Sequence, residues 1–93
     1  MRPMAHVTQH RRKLLTRIRR IGGQVSALEN SLSSDIDCAA VLTQIAAVRG
    51  AVQGLMMEVL EDHLREHVVA EPAPRRRARE LAAVTALMRT FVR

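Results

Sequence analysis

From Ile36 to Val68 the chain runs without a proline and consists of strong helix formers throughout. One helix over that stretch is ~50 Å long, at ~1.5 Å per residue. A compact monomer of 93 residues has no room for such a rod, so the rod needs another surface to lie against. Counting 100° per residue from Cys38, one narrow face collects Leu42, Ile45, Arg49, Val52, Met56, Leu60, His63 and His67. An apolar seam therefore connects a thiol at one end to two imidazoles at the other. Its middle, Ala46-Ala47-Val48-Arg49-Gly50-Ala51-Val52-Gln53-Gly54, is made of small residues that let backbones approach closely, and glycine in mid-helix is otherwise costly. The approaching backbone is either a second copy of this helix or the helix that precedes it.

The rest of the chain also reads as helix. Leu14, Ile18, Ile21, Val25, Leu28 and Leu32 recur at steps of three and four and predict helix one over 10–32, interrupted by Gly22-Gly23. Residues 1–9 read as a flexible arm. Ser31 to Asp37 forms a connector, with Ser33, Ser34 or Asp35 available as N-cap for helix two over 36–68. Glu71-Pro72-Ala73-Pro74 ends that helix, and a third follows over 75–92 with Leu81, Val84, Leu87, Met88 and Phe91 as its apolar set. The expectation is an all-α, single-domain, three-helix protomer.

Such a protomer buries little by itself, and neither usual staple is present: Cys38 is the only cysteine and Phe91 the only aromatic residue. Oligomerisation is the remaining remedy, and a lone cysteine fits a reducing cytoplasm. The sequence shows no apolar run near the ~20 residues that span a bilayer, and Met1-Arg2-Pro3-Met4-Ala5-His6 lacks the apolar stretch of a signal peptide. Fourteen arginines and one lysine against nine acids give a net charge of +6, which suits a polyanionic partner and disfavours an enzyme for cationic substrates.

Cys38, His63 and His67 are the residues most able to hold a transition metal, and His63 and His67, four apart, stack on one helix surface within reach of one ion. By itself a pair of histidines near a helix C-terminus also suits the helix dipole, and a cysteine in a first turn is often a small buried residue. Along a single helix Cys38 and His63 lie ~37 Å apart and cannot share an ion. Two antiparallel copies of helix two remove the difficulty. The midpoints of the pairings of Cys38 with His63 and with His67 fall between residues 50 and 53, so a two-fold axis there brings one chain's thiol to the other's imidazoles, twice over.

The segments Arg17-Ile18-Arg19-Arg20-Ile21-Gly22-Gly23-Gln24-Val25, Asp37-Cys38-Ala39-Ala40-Val41-Leu42-Thr43-Gln44-Ile45 and onward to Met56, Glu58-Val59, and His63-Leu64-Arg65-Glu66-His67 resemble the CsoR/RcnR repressor family. The resemblance covers about residues 11–68 and extends weakly to the end. It implies an antiparallel helical-bundle homodimer, paired into a flat homotetramer, that represses transcription until an inducer binds. It also implies a ligand set of Cys38 from one subunit with His63 and its fourth-residue partner from another. Copper sensors of the family carry cysteine at the position of His67, and persulfide sensors need that same second thiol. Formaldehyde sensors resemble this chain at Cys38 and His63, but have proline directly after the initiator methionine, where this chain has Arg2. Nickel and cobalt sensors have histidine at the position of His67 and another near the N-terminus, in register with His6.

One thiolate with several imidazoles suits nickel(II) or cobalt(II), and zinc accepts the same ligands. His6 on a folding N-terminal arm is expected to close the site, with His10 ranked below it. Translation from Met4 would place the Ala5 amine beside His6 as a further donor. Asp37 and Glu66, beside the expected ligands, are candidate additional oxygen donors, although such acids are more often solvated. On helix one, Lys13, Arg17, Arg20 and Gln24 share a stripe beside the apolar face and form the expected DNA-binding ridge; the resemblance places the family's DNA contacts at Arg17 and Arg20. Arg75 to Arg79 adds a second basic cluster. With almost no aromatic residues to stack single-stranded bases, duplex operator DNA is the expected partner. A Cys38–His63 nucleophile pair is the rival reading, but no orienting third group or glycine-rich oxyanion loop accompanies it.

Overall fold

The computed structural model describes the backbone of residues 4–91 and the side chains of residues 10–91. Three helices follow one another: α1 (Met4–Ser33), α2 (Cys38–Leu64), continued by a π-helical turn (Arg65–Val69), and α3 (Pro74–Phe91), with no strand among the described residues. The chain divides into two compact units, Met1–Met56 and Met57–Arg93, with the boundary inside α2.

α1 begins six residues before the expected start at His10, because nothing from Met4 to Ile21 is a glycine or proline that would stop it. Residues 4–9 of the expected arm are therefore helical in backbone. Met1 to Pro3, and the side chain of His6, lie outside the described residues.

The connector is organised differently from the expectation. The hydroxyls of Ser33 and Ser34 donate to the carbonyls of Glu29 and Asn30, each at 3.0 Å, and so serve the last turn of α1 rather than the start of α2. Asp37 stands just before α2, and its carbonyl accepts the N–H groups of Ala40 at 3.0 Å and Val41 at 3.2 Å. Cys38 is the first residue of α2, two later than the sequence suggested.

In the first unit, His10, Leu14, Ile21, Gln24, Leu28 and Ser31 on α1, and Val41, Gln44, Val48, Ala51 and Leu55 on α2, are half-buried or buried. On α2 these residues recur at alternating steps of three and four, and on α1 at three, four and once seven, marking the stripe each helix turns inward. The apolar row expected on α1 is thus divided. Leu14, Ile21 and Leu28 face inward, whereas Leu15, Ile18, Val25 and Leu32 stay exposed on the adjacent flank. On α2 the seam read from Cys38 is exposed in the same way at Leu42, Ile45 and Val52.

In the second unit α3 packs against the π turn, and Val84 is the one apolar side chain buried among the described residues. Leu81, Leu87, Met88 and Phe91 remain exposed. α3 starts with Pro74, whose missing N–H costs nothing at a first helical position. Glu71 sets up the entry: its carboxylate accepts the Ala73 N–H at 3.1 Å and its carbonyl accepts from Arg77 Nη1 at 3.3 Å.

The helical stretch Cys38–Val69 is long and apolar enough, by length and composition, to cross a membrane, with a mean hydropathy of 1.3 over its most apolar 18 residues. Its apolar residues are interleaved with alanine, glycine, threonine and glutamine, so no unbroken run betrays it in the sequence. Arg49 near its middle would cost ~2.5–3.5 kcal/mol at a bilayer centre. Of the two rows described above, one is half-buried towards α1 and the other lies open.

Candidate metal centre and nucleic-acid interface

Cys38 opens α2, and is exposed. His63 stands at the other end of that helix, and His67 one turn later in the π segment. The two rings have centroids 4.6 Å apart and planes inclined by 38°, close enough for one ion to meet both. Pro72 and Pro74 supply no N–H to the carbonyls of Val68 and Ala70, so the helix ends here, and its last turn is the widened one. There the Ala70 N–H reaches back five residues to the Arg65 carbonyl at 2.9 Å.

His63 has a neighbour that the sequence did not single out. Its Nε2 lies 3.5 Å from Oε2 of Glu80 on α3, both side chains being about one-third exposed (36% and 34%). A ligating histidine usually directs its second ring nitrogen to a carboxylate or carbonyl, which fixes the ring and raises its basicity. Of the two ring nitrogens of His63, Nε2 is the one this contact engages. The signal was present in the sequence, since Glu80 is the sole acid between Pro72 and Arg93. His67 Nε2 lies 3.8 Å from Oε2 of its neighbour Glu66, a looser contact. Among the described residues of one chain, no three histidine, cysteine or acidic side chains gather as a metal cluster. One chain alone thus brings two imidazoles together and leaves the thiol elsewhere. His10, half-buried on the inner stripe of α1, is engaged within the fold.

Of the expected DNA ridge, Lys13, Arg17 and Arg20 are exposed on α1. Gln24 is not: it belongs to the inner stripe, and its Oε1 is buried without a hydrogen-bond partner among the described residues. Arg17 lies across α2, so that a Cβ on Gly54 would meet its Nη1 and Nη2 at 3.9 Å each. Of the small residues, Gly54 borders α1 here, while a Cβ on Gly50 would meet nothing within 4 Å.

The profile of the metal-sensitive transcriptional repressors matches residues 10–93. The chain belongs to that family, the CsoR/RcnR repressors. A relative from Serratia marcescens, described as an uncharacterized protein in the bioA 5' region, is 48% identical over 91 residues, spanning 97% of this chain and 100% of that one. The transcriptional repressor RcnR of Salmonella paratyphi B is 42% identical over 90 residues, with 97% and 100% coverage. Among solved structures, a glutamate-to-histidine variant of the formaldehyde-responsive regulator FrmR from Salmonella enterica serovar Typhimurium superposes with a TM-score of 0.83 at 48% identity, covering 89% of this chain and 94% of that one. The all-α fold is common to both. Membership makes this a DNA-binding, oligomerising repressor and not an enzyme.

Proposed function

We propose that this chain is a nickel- or cobalt-responsive repressor. It holds operator DNA when metal-free and lets go when the ion binds, derepressing a metal efflux gene. The ion sits between subunits: Cys38 of one chain supplies a thiolate, His63 and His67 of another supply imidazoles, and His6, from the first turns of α1, completes the set. The ion favours one arrangement of the subunits over another and so moves Lys13, Arg17 and Arg20 out of register with the DNA. One observation carries the reading. Two facing imidazoles end a helix that a solitary exposed thiol begins, and an apolar row on that same helix lies open between them.

Nickel(II) and cobalt(II) suit this mixture of one soft and several borderline donors and accept more than four ligands; zinc is the nearest alternative ion. Coupling between ion and operator is reciprocal, so bound DNA weakens metal affinity by the same factor that metal weakens DNA affinity. A cytoplasmic homotetramer built from antiparallel dimers is the assembly this mechanism uses.

A formaldehyde-responsive repressor acting through Cys38 is the second reading, favoured by the 48% identity to FrmR. One experiment separates the two: binding of promoter DNA by the purified protein, titrated with nickel, cobalt, zinc and formaldehyde. Release by nickel or cobalt, lost in both Cys38→Ala and His67→Ala, supports the metal sensor. Release by formaldehyde, lost in Cys38→Ala and kept in His67→Ala, refutes it in favour of the aldehyde sensor.

A further inference from the structure

Between Pro74 and Phe91, α3 carries five arginines and a single acid, and that acid, Glu80, is turned to His63. At ~100° per residue, Arg75, Arg79, Ala82, Ala86 and Arg89 fall within an arc of about 80°. Val84, the buried apolar side chain, lies on the opposite side of the helix, with Leu81, Leu87, Met88 and Phe91 around it. The outer face of α3 is thus a row of arginines separated only by alanine. Arg75, Arg79 and Arg89 are all exposed, and none of them has a carboxylate partner among the described residues. Arg76 and Arg77 differ, being held at Glu71 through its carboxylate at 3.9 Å and its carbonyl at 3.3 Å. The helix dipole accounts for Arg89 in the last turn but opposes Arg75, since the first turn of α3 holds arginines and no acid.

From Arg75 to Arg89 the row is ~21 Å long, at ~1.5 Å per residue. Successive phosphates of one DNA strand follow at ~3.4 Å along the duplex axis, so a row of this length passes several of them. Guanidinium forks bond phosphate oxygens in pairs, and the alanines between them let the strand come close. We propose that the outer face of α3 is a second, sequence-independent DNA contact, in which Arg75, Arg79 and Arg89 neutralise phosphates of the duplex backbone. The proposal rests on the reading of this chain as a duplex-binding repressor and adds a helix to which that reading gave no DNA. An anionic lipid surface fits the row less well. An interfacial helix inserts its apolar face, and on α3 that face carries Val84, already buried within the fold.

The test uses the full chain and two triple variants, one with Arg75→Gln, Arg79→Gln and Arg89→Gln, the other with lysine at the same three positions. Glutamine and lysine are both good helix formers, so α3 should survive each change. Binding of a random-sequence DNA duplex is read by anisotropy over a series of salt concentrations. In the glutamine variant the duplex should bind about tenfold more weakly or worse, the scale of losing charge-assisted hydrogen bonds. The plot of log affinity against log salt should flatten by ~0.9 for each phosphate no longer neutralised, and the lysine variant should keep the parent's slope. Arg79→Gln alone should flatten the plot by about a third as much, which keeps the test readable if the triple variant melts early. Parent-like affinity and slope in the glutamine variant overturn the α3 contact and leave the repressor reading standing. A slope lost equally in the lysine variant, which keeps every charge, also overturns it. So does loss of binding to phosphatidylserine–phosphatidylcholine vesicles in the glutamine variant with duplex binding unchanged, which would assign the row to a membrane surface. A parent protein that binds no duplex defeats the repressor reading itself, and the α3 contact with it.

Discussion

Val52 offers a quantitative test of the open row on α2. It is 44% exposed in the single chain, as is Ile45, and Leu42 is 60% exposed. Complete burial of such a side chain is worth ~1.5–3 kcal/mol, so about 1 kcal/mol remains to be gained at each on covering the row. A two-fold axis doubles every contribution, and these three positions alone then supply on the order of 6 kcal/mol to a dimer. Val52→Ala removes part of the gain at one position and should weaken dimerisation about tenfold. Val52→Asp is far more severe, because it desolvates a carboxylate twice per dimer at several kcal/mol each, and dissociation should become ~10³-fold easier or more. Sedimentation velocity over a concentration series measures both effects, with circular dichroism reporting whether α2 survives. If the Val52→Asp protein keeps the parent's mass at every concentration, no partner covers this row and the subunit arrangement proposed here is wrong.

Three further outcomes are expected. Glu80→Gln should lower cobalt affinity by about tenfold to a hundredfold through the loss of the His63 orienter. It should leave the thermal melt nearly unchanged, since a contact this exposed contributes at most ~1 kcal/mol; equal affinity in isothermal titration would remove Glu80 from the site. Gly23→Ala places a methyl where nothing lies within 4 Å, so the chain should gain ~0.5–1 kcal/mol and melt a few degrees higher, whereas a lower melting point would show another chain approaching α1 there. Arg20→Ala should weaken duplex binding at all sequences alike and flatten the plot of log affinity against log salt by ~0.9 for each phosphate it no longer neutralises; an unchanged slope would take Arg20 off the DNA.

Most of the architecture could be read from the sequence because the chain uses long, uninterrupted helical periods punctuated by prolines. The rod beginning near Cys38, the break at Glu71-Pro72-Ala73-Pro74 and the third helix all follow from that punctuation. What a single-sequence reading could not resolve was which of two neighbouring apolar rows on each helix faces its own chain. Ile18 and Val25 are as hydrophobic as Ile21 and Leu28, yet only the latter pair turns inward, and Gln24 follows them inside although its polarity suggested the surface. The start of α2 was misplaced for a related reason. Serines that could cap the following helix instead close the preceding one, and only geometry distinguishes those roles. The pairing of Glu80 with His63 is not legible in the sequence, because the two lie 17 residues apart and meet only when α3 folds back on the π turn.

Mixed oligomers test the shared metal site most directly. Cys38→Ser and the double variant His63→Ala, His67→Ala each lack half of every site, and neither alone should give the thiolate-to-cobalt charge-transfer band. Unfolded and refolded together in equal amounts, they form mixed dimers in which one chain's intact thiol meets the other's intact imidazoles. Random pairing then restores roughly a quarter of the sites, and the band should return at that fraction of the parent's intensity. A mixture as silent as its two components would contradict an ion held between chains.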